Sequence, residues 1–228
     1  MTRAKLEVAA FGLDAAVVAA HAGADRVELC RDASAGGLTP PLGWVEALAD
    51  QTDVPVVVMI RPHADGWTFT VDEHAAMRDD ARAAIRAGAR GVVWGALRPD
   101  GTVDADALRA LVESVAPHPV GVHRAFDASR DLGEALDALL DAGAARVLTG
   151  GGHGTATSNV GRLARLVEQA GDALTVMPGG GVRASNVAEI VRRTGAREVH
   201  SGARAPGTAT VDAGEVRRLR AVLNAHEG

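Results

Sequence analysis

The chain has a single cysteine, no tyrosine, and only three phenylalanines and three tryptophans in 228 residues. The lone thiol, Cys30, excludes an internal disulfide framework. With aromatic residues at 3%, a core has to be built from Ala, Val, Leu and Ile. Positive charge is scarce as well. Twenty-four Lys and Arg stand against 29 Asp and Glu, for a net charge of −5 and a pI near 5.9. That balance argues against a nucleic-acid partner, which needs a basic face. Arg192-Arg193 and Arg217-Arg218 lie in helical stretches dotted with acids and read as solvated faces. Long apolar runs are missing too: residues 54–60 form one of the longest. Such a run is far below the roughly 20 residues that cross a bilayer, so no membrane span is expected. The first residues pass into a strand pattern without the apolar stretch of a secretory leader, which makes the cytoplasm the expected compartment.

What the chain has instead is self-similarity. Ala22-Gly23-Ala24-Asp25-Arg26-Val27 recurs as Ala87-Gly88-Ala89-Arg90-Gly91-Val92, as Ala142-Gly143-Ala144-Ala145-Arg146-Val147 and as Thr194-Gly195-Ala196-Arg197-Glu198-Val199. Each copy follows an amphipathic, helix-like segment and precedes a short apolar run. The glycine closes the helix in the left-handed conformation, and the chain turns into a strand. The pattern predicts strands at 5–9, 26–30, 55–61, 91–94, 120–123, 146–149, 174–177 and 198–200. Helices are predicted between them at 14–21, 42–51, 71–87, 105–115, 132–141, 159–170 and 185–193, with a last one at 213–225. Eight alternations require parallel strands, because each return needs a crossover helix. The quarter-repeat favours closure into a TIM (β/α)8 barrel over an open, doubly wound sheet. No linker or low-complexity segment divides the chain, so residues 1–228 read as one barrel domain.

Side chains alternate across a strand. In Leu6-Glu7-Val8, Val27-Glu28-Leu29, Ile60-Arg61, Val122-His123 and Val199-His200 the apolar member should face the helices and the polar one the barrel axis. Glu7, Glu28, Arg61, His123 and His200 are therefore candidate catalytic residues, most of them near the C-terminal mouth where barrel active sites collect. Glu7 sits lower and reads equally as the structural partner of an arginine. Asp127, in the Arg124-Ala125-Phe126-Asp127 run after His123, is either the orienter of a histidine or a helix-capping acid before Leu132.

Three glycine loops share the same rim: Gly150-Gly151-Gly152 after strand six, Gly179-Gly180-Gly181 after strand seven and Ser201-Gly202 after strand eight. Exposed backbone N–H groups there, with Ser185 or Asn186 capping the following helix, make a candidate site for a small anion. Gly179, Gly180, Gly181, Ser201, Gly202, Gly150 and Gly151 are its expected donors, for phosphate or carboxylate alike. Cys30, at an inward strand end, is a candidate ligand for a soft metal, although no CxxC or HxxxH spacing accompanies it.

The runs Arg26-Val27-Glu28-Leu29-Cys30, Gly36-Gly37-Leu38-Thr39-Pro40, Arg61-Pro62, His123-Arg124-Ala125-Phe126-Asp127, Arg146-Val147-Leu148-Thr149 and Glu198-Val199-His200-Ser201 closely resemble the CutC family, in order and over nearly the whole chain. The resemblance implies a cytoplasmic TIM barrel tied to copper homeostasis, often a homo-oligomer, with Cu(I) as the metal some members bind through cysteines. Here Ala9-Ala10 stand where some relatives carry cysteine, which leaves Cys30 to pair with His123, His200 or Met59. Two functions follow: a copper-homeostasis protein in the family sense, or a lyase- or isomerase-type enzyme on a phosphorylated or carboxylated metabolite. In the second, Glu28 or His123 is the general base and Arg61 holds the substrate anion.

Overall fold

Helices and strands alternate throughout the computed structural model, which describes residues 3–205 and 207–225. The strands are β1 (Lys5–Ala10), β2 (Arg26–Leu29), β3 (Val56–Met59), β4 (Gly91–Trp94), β5 (Val120–Val122), β6 (Arg146–Thr149), β7 (Thr175–Pro178) and β8 (Glu198–Ser201). The helices are α1 (Leu13–His21), α2 (Leu42–Gln51), α3 (Val71–Arg86), α4 (Ala105–Val115), α5 (Leu132–Ala142), α6 (Val160–Ala170), α7 (Val187–Thr194) and α8 (Ala213–Asn224). A 3-10 turn at Arg124–Ala128 follows β5. Parallel ladders join the strands in the order β7-β6-β5-β4-β3-β2-β1-β8. This is the expected TIM barrel, closed but for a ladder between β7 and β8. There the Ser201 hydroxyl donates to the Val182 carbonyl at 2.7 Å.

The repeated glycines act as expected: Gly143 and Gly195 close α5 and α7 with φ of 83° and 70°. Leu6, Val8, Val27, Leu29, Ile60, Val122 and Val199 all pack in the layer between barrel and helices. Their alternates form a separate, smaller interior in which Cys30, Val57, Met59 and Val93 pack together.

Two boundaries differ for side-chain reasons. The β3 ladder ends at Met59, because the Arg61 amide is taken by the Thr39 hydroxyl at 2.9 Å and its carbonyl by the Thr39 amide. Helix α7 begins at Val187 without the expected side-chain cap. Asn186 instead accepts from the Arg183 amide and donates to the Gly181 carbonyl, tying the β7–α7 loop to itself.

Candidate functional site

The barrel interior has two levels of charge. On the lower one, Glu7 of β1 is level with Arg26 on one neighbouring strand and His200 on the other. Arg26 donates to both Glu7 and Glu198, and Arg146 stands 3.7 Å from Glu198. Burial alone would raise the Glu7 carboxyl, but the His200 hydrogen bond and the Arg26 charge outweigh it and hold Glu7 at about 2. Arg26, Arg146 and Glu198 were not anticipated. Their inward placement follows from the same alternation that singled out Glu28 and His200.

The upper level opens into a cavity of about 250 Å³ at the C-terminal mouth, lined by Glu28, Arg61, His123 and His200, with Gly180, Gly181 and Gly202 on the rim. Four of the six expected catalytic residues thus converge. Glu7 lies beneath them, with its Oε1 2.8 Å from His200 Nδ1. His200 Nε2 faces Glu28 Oε2 at 3.8 Å. Burial disfavours the imidazolium, but Glu7 and Glu28 outweigh burial and raise the His200 pKa. Burial pushes Glu28 up to about 7 against the pull of that imidazolium. The Cys30 thiol beside this carboxyl draws it down, and Glu28 Oε1 is buried with no hydrogen-bond partner.

Arg61 is 5% exposed, yet no described carboxylate lies within ion-pair distance. One of its terminal nitrogens donates to the Ala35 carbonyl at 2.7 Å, pinning the loop after β2, while Nε has no partner. Its guanidinium stacks 4.2 Å from the Trp67 ring, which also packs on His123 with centroids 4.9 Å apart. Burial of an unmatched guanidinium is costly, and lowers its pKa. His123 is held at about 3 by burial and then by the Arg61 charge. Its ring fits because residue 95 is glycine: a Cβ there would lie 2.6 Å from the imidazole.

Asp127 neither orients a histidine nor caps α5, whose cap is Asp131. It accepts from the Thr149 hydroxyl, from the amides of Gly150 and Gly152, and from Arg124 Nε at 2.7 Å. The glycine loop after β6 therefore already holds an anion, the protein's own. Gly150 and Gly151 are removed from the external anion site, the Gly151 amide being taken by Thr149 Oγ1. Gly179 and Ser201 are also off the cavity, because the Gly179 amide serves the Thr149 carbonyl and the Ser201 hydroxyl closes the β7–β8 seam. The Gly180 and Gly181 amides donate to no described residue. Arg124 and Arg204 complete the rim, with Arg124 resting 3.1 Å from where a Cβ on Gly180 would be. Both arginines are visible in the sequence beside the motifs, but nothing local marks their reach. Trp67 comes from a loop with no periodic signal at all.

Cys30 does not line the mouth. It is fully buried beneath Gly37, whose missing Cβ would meet its sulfur at 3.3 Å and the Met59 methyl at 3.5 Å. Burial and the neighbouring carboxylates push the thiol well above its ordinary value, so it stays protonated. Among the described residues no three of His, Cys, Asp and Glu are grouped to hold a metal ion. A preformed thiolate site for Cu(I) does not fit this interior. No described helix is long and apolar enough to cross a membrane.

The CutC family profile matches residues 4–205. A CutC family protein of Xanthomonas campestris pv. campestris is 43% identical over 208 residues, 91% of this chain and 87% of that one. The human copper homeostasis protein cutC homolog is 40% identical across 87% of this chain and 73% of its own. The crystal structure of a Streptococcus agalactiae CutC, also named for copper homeostasis, superposes with a TM-score of 0.82 at 28% identity, covering 87% of this chain and 98% of that one. With the strand order, the buried charges of the mouth and these matches in agreement, the chain belongs to the CutC family.

Proposed function

We propose that this chain serves copper homeostasis, the process for which its relatives are named, by binding a small anionic ligand in the barrel mouth rather than by ligating copper through a preformed thiolate site. Arg61 carries the proposal: a buried guanidinium without a carboxylate of its own, lining one cavity with the undonated amides of Gly180 and Gly181. An anion arriving there gains charge-assisted hydrogen bonds in a site already desolvated, and relieves the unmatched charge. Arg124 and Arg204 draw the same ligand from the rim. The proposal includes the cytoplasm as its place of action, consistent with a chain that offers no membrane-spanning helix among its described residues. It also includes assembly into a homo-oligomer, which light scattering on the purified protein checks.

Thermal shift with inorganic phosphate, malonate and citrate, on wild type and Arg61→Met, tests the anion. The expected result is a rise in Tm with at least one anion for wild type and its loss in the variant. No anion-dependent rise removes the proposal. In parallel, Cu(I) titrated against a competing chelator should be retained equally weakly by wild type and Cys30→Ala, whereas tight retention lost in Cys30→Ala restores the thiol as a copper ligand.

A further inference from the structure

Three polar atoms of the mouth are left without partners in a way that packing does not require: Arg61 Nε and two more. Glu28 Oε1 and His123 Nε2 are both buried, both unbonded, and belong to side chains lining one cavity with Arg61. Native interiors rarely leave such groups unmet, and an apolar residue or an amide would fill either position at lower cost.

The state of His123 is set by its surroundings. The Ala125 amide donates to Nδ1 at 3.1 Å, so that nitrogen holds a lone pair and the proton of the neutral ring is on Nε2. Burial and the adjacent Arg61 charge keep the ring from gaining a second proton. The imidazole is locked between Trp67 and Gly95, so it presents a fixed N–H donor rather than a base. Glu28 is the complementary group: a carboxyl poised near neutrality by burial, with His200 against its other oxygen and Glu7 behind His200. A buried carboxylate base and a neutral imidazole donor lining one cavity are the pair of groups that proton abstraction beside a carbonyl needs.

We propose that the mouth is a proton-transfer centre in which Glu28 removes a proton from the carbon next to the carbonyl of a small phosphorylated or carboxylated oxo compound while His123 Nε2–H hydrogen-bonds the carbonyl oxygen. The inference rests on the anion-binding reading, since Arg61 and the Gly180–Gly181 amides are what hold the substrate's charge. In the step, the C–H bond breaks and its electron pair becomes a C=C bond. The carbonyl π pair moves to oxygen, where the imidazole N–H and the Arg61 charge support it. The proton rests on Glu28 and returns to the same carbon or, in an α-hydroxy ketone, to the neighbouring one, the substrate's hydroxyl proton then passing to the former carbonyl oxygen as the hydroxyl becomes the new carbonyl. No oxidant, reductant or co-reactant enters. His200 is a positioning residue, acting through Glu28.

The test incubates the protein in D2O with dihydroxyacetone phosphate or pyruvate and follows the α-hydrogens by proton NMR, with binding of each probe and of inorganic phosphate measured alongside. Wild type should speed exchange of at least one probe by about 100-fold or more over buffer, the usual worth of a positioned acid–base group. Glu28→Gln should bring the rate close to buffer while the probe still binds, and His123→Gln should lower it with binding retained. Nitrogen-15 NMR should show His123 as the neutral Nε2–H tautomer at pH 7. A protein that binds phosphate or a probe but exchanges neither overturns the proton transfer and leaves the anion site standing. Glu28→Gln exchanging like wild type, or His123 protonated or carrying its proton on Nδ1, overturns it as well. Failure to bind either probe overturns the proton transfer, and failure to bind any anion, malonate and citrate included, overturns both readings together.

Discussion

The floor and the mouth of this barrel hold similar residues and treat them in opposite ways. On the floor, Glu7 and Glu198 balance Arg26 and Arg146 in charge, with Arg26 bonded to both acids, while Arg146 lies 3.7 Å from Glu198 with two of its nitrogens unbonded. At the mouth, Arg61 has no carboxylate, Glu28 has an unmet oxygen, and His123 an unmet N–H. Charge that is matched inside the chain is holding strands in place. At the mouth a guanidinium with no carboxylate of its own and the unmet atoms beside it all line an open cavity, which is where a ligand can supply what the chain does not.

The largest effect expected from this contrast is on the floor. Arg26→Met strands two buried carboxylates and should cost about 3–5 kcal/mol, read from urea unfolding. A loss under 1 kcal/mol breaks the contrast at its base. Next comes Gly95→Ala, whose methyl drives into the His123 ring. It should cost about 1–3 kcal/mol and weaken anion binding at the mouth.

The pH dependence separates the two levels by sign. Glu7, held at about 2 against an ordinary 4.5, contributes stability that is present above about 4.5 and lost as the pH falls towards 2. Glu28, raised from 4.5 to about 7, is protonated in the folded chain and ionised in the unfolded one between those values, so stability falls as the pH rises through that window. His200, raised from 6.5, adds a contribution that is full below 6.5 and lost as the pH rises through its folded value. Glu28→Gln should therefore stabilise the protein at pH 8, on the order of 2 kcal/mol, with the gain vanishing near pH 4.5. A destabilised variant at pH 8 would put Glu28 with the floor. The smallest change in stability is expected for Arg61→Met. Loss of the loop contacts is offset by removal of an unmatched buried charge, leaving the fold within about 1 kcal/mol. A loss as large as that of Arg26→Met would show Arg61 to be structural.

Much of the barrel could be read along the chain because its signals are short-ranged. The Gly-Ala stops, exemplified by Gly143 and Gly195, mark where helices end within a few residues. Alternation carried Glu28, Arg61, His123 and His200 inward for the same reason. It should equally have carried Arg26 and Arg146, which share the strand faces of Glu28 and Leu148. The glycine loops were legible as loops and not as sites. Whether an amide is free depends on what approaches from elsewhere, and at Gly150 and Gly152 that is Asp127, more than twenty residues upstream.

The order of strands and helices, the faces they bury and the set of ionisable groups aimed at the axis were thus determined by the sequence alone, through periods of two and 3.6 residues. Only the tertiary structure decided which of those groups neutralise one another. Arg26 and Glu198 are 172 positions apart, and Glu7 and His200 193 apart. Such pairs meet because the barrel closes β1 onto β8, and the energy of a charge depends on the distance to its partner and the water excluded between them, neither of which a local pattern carries.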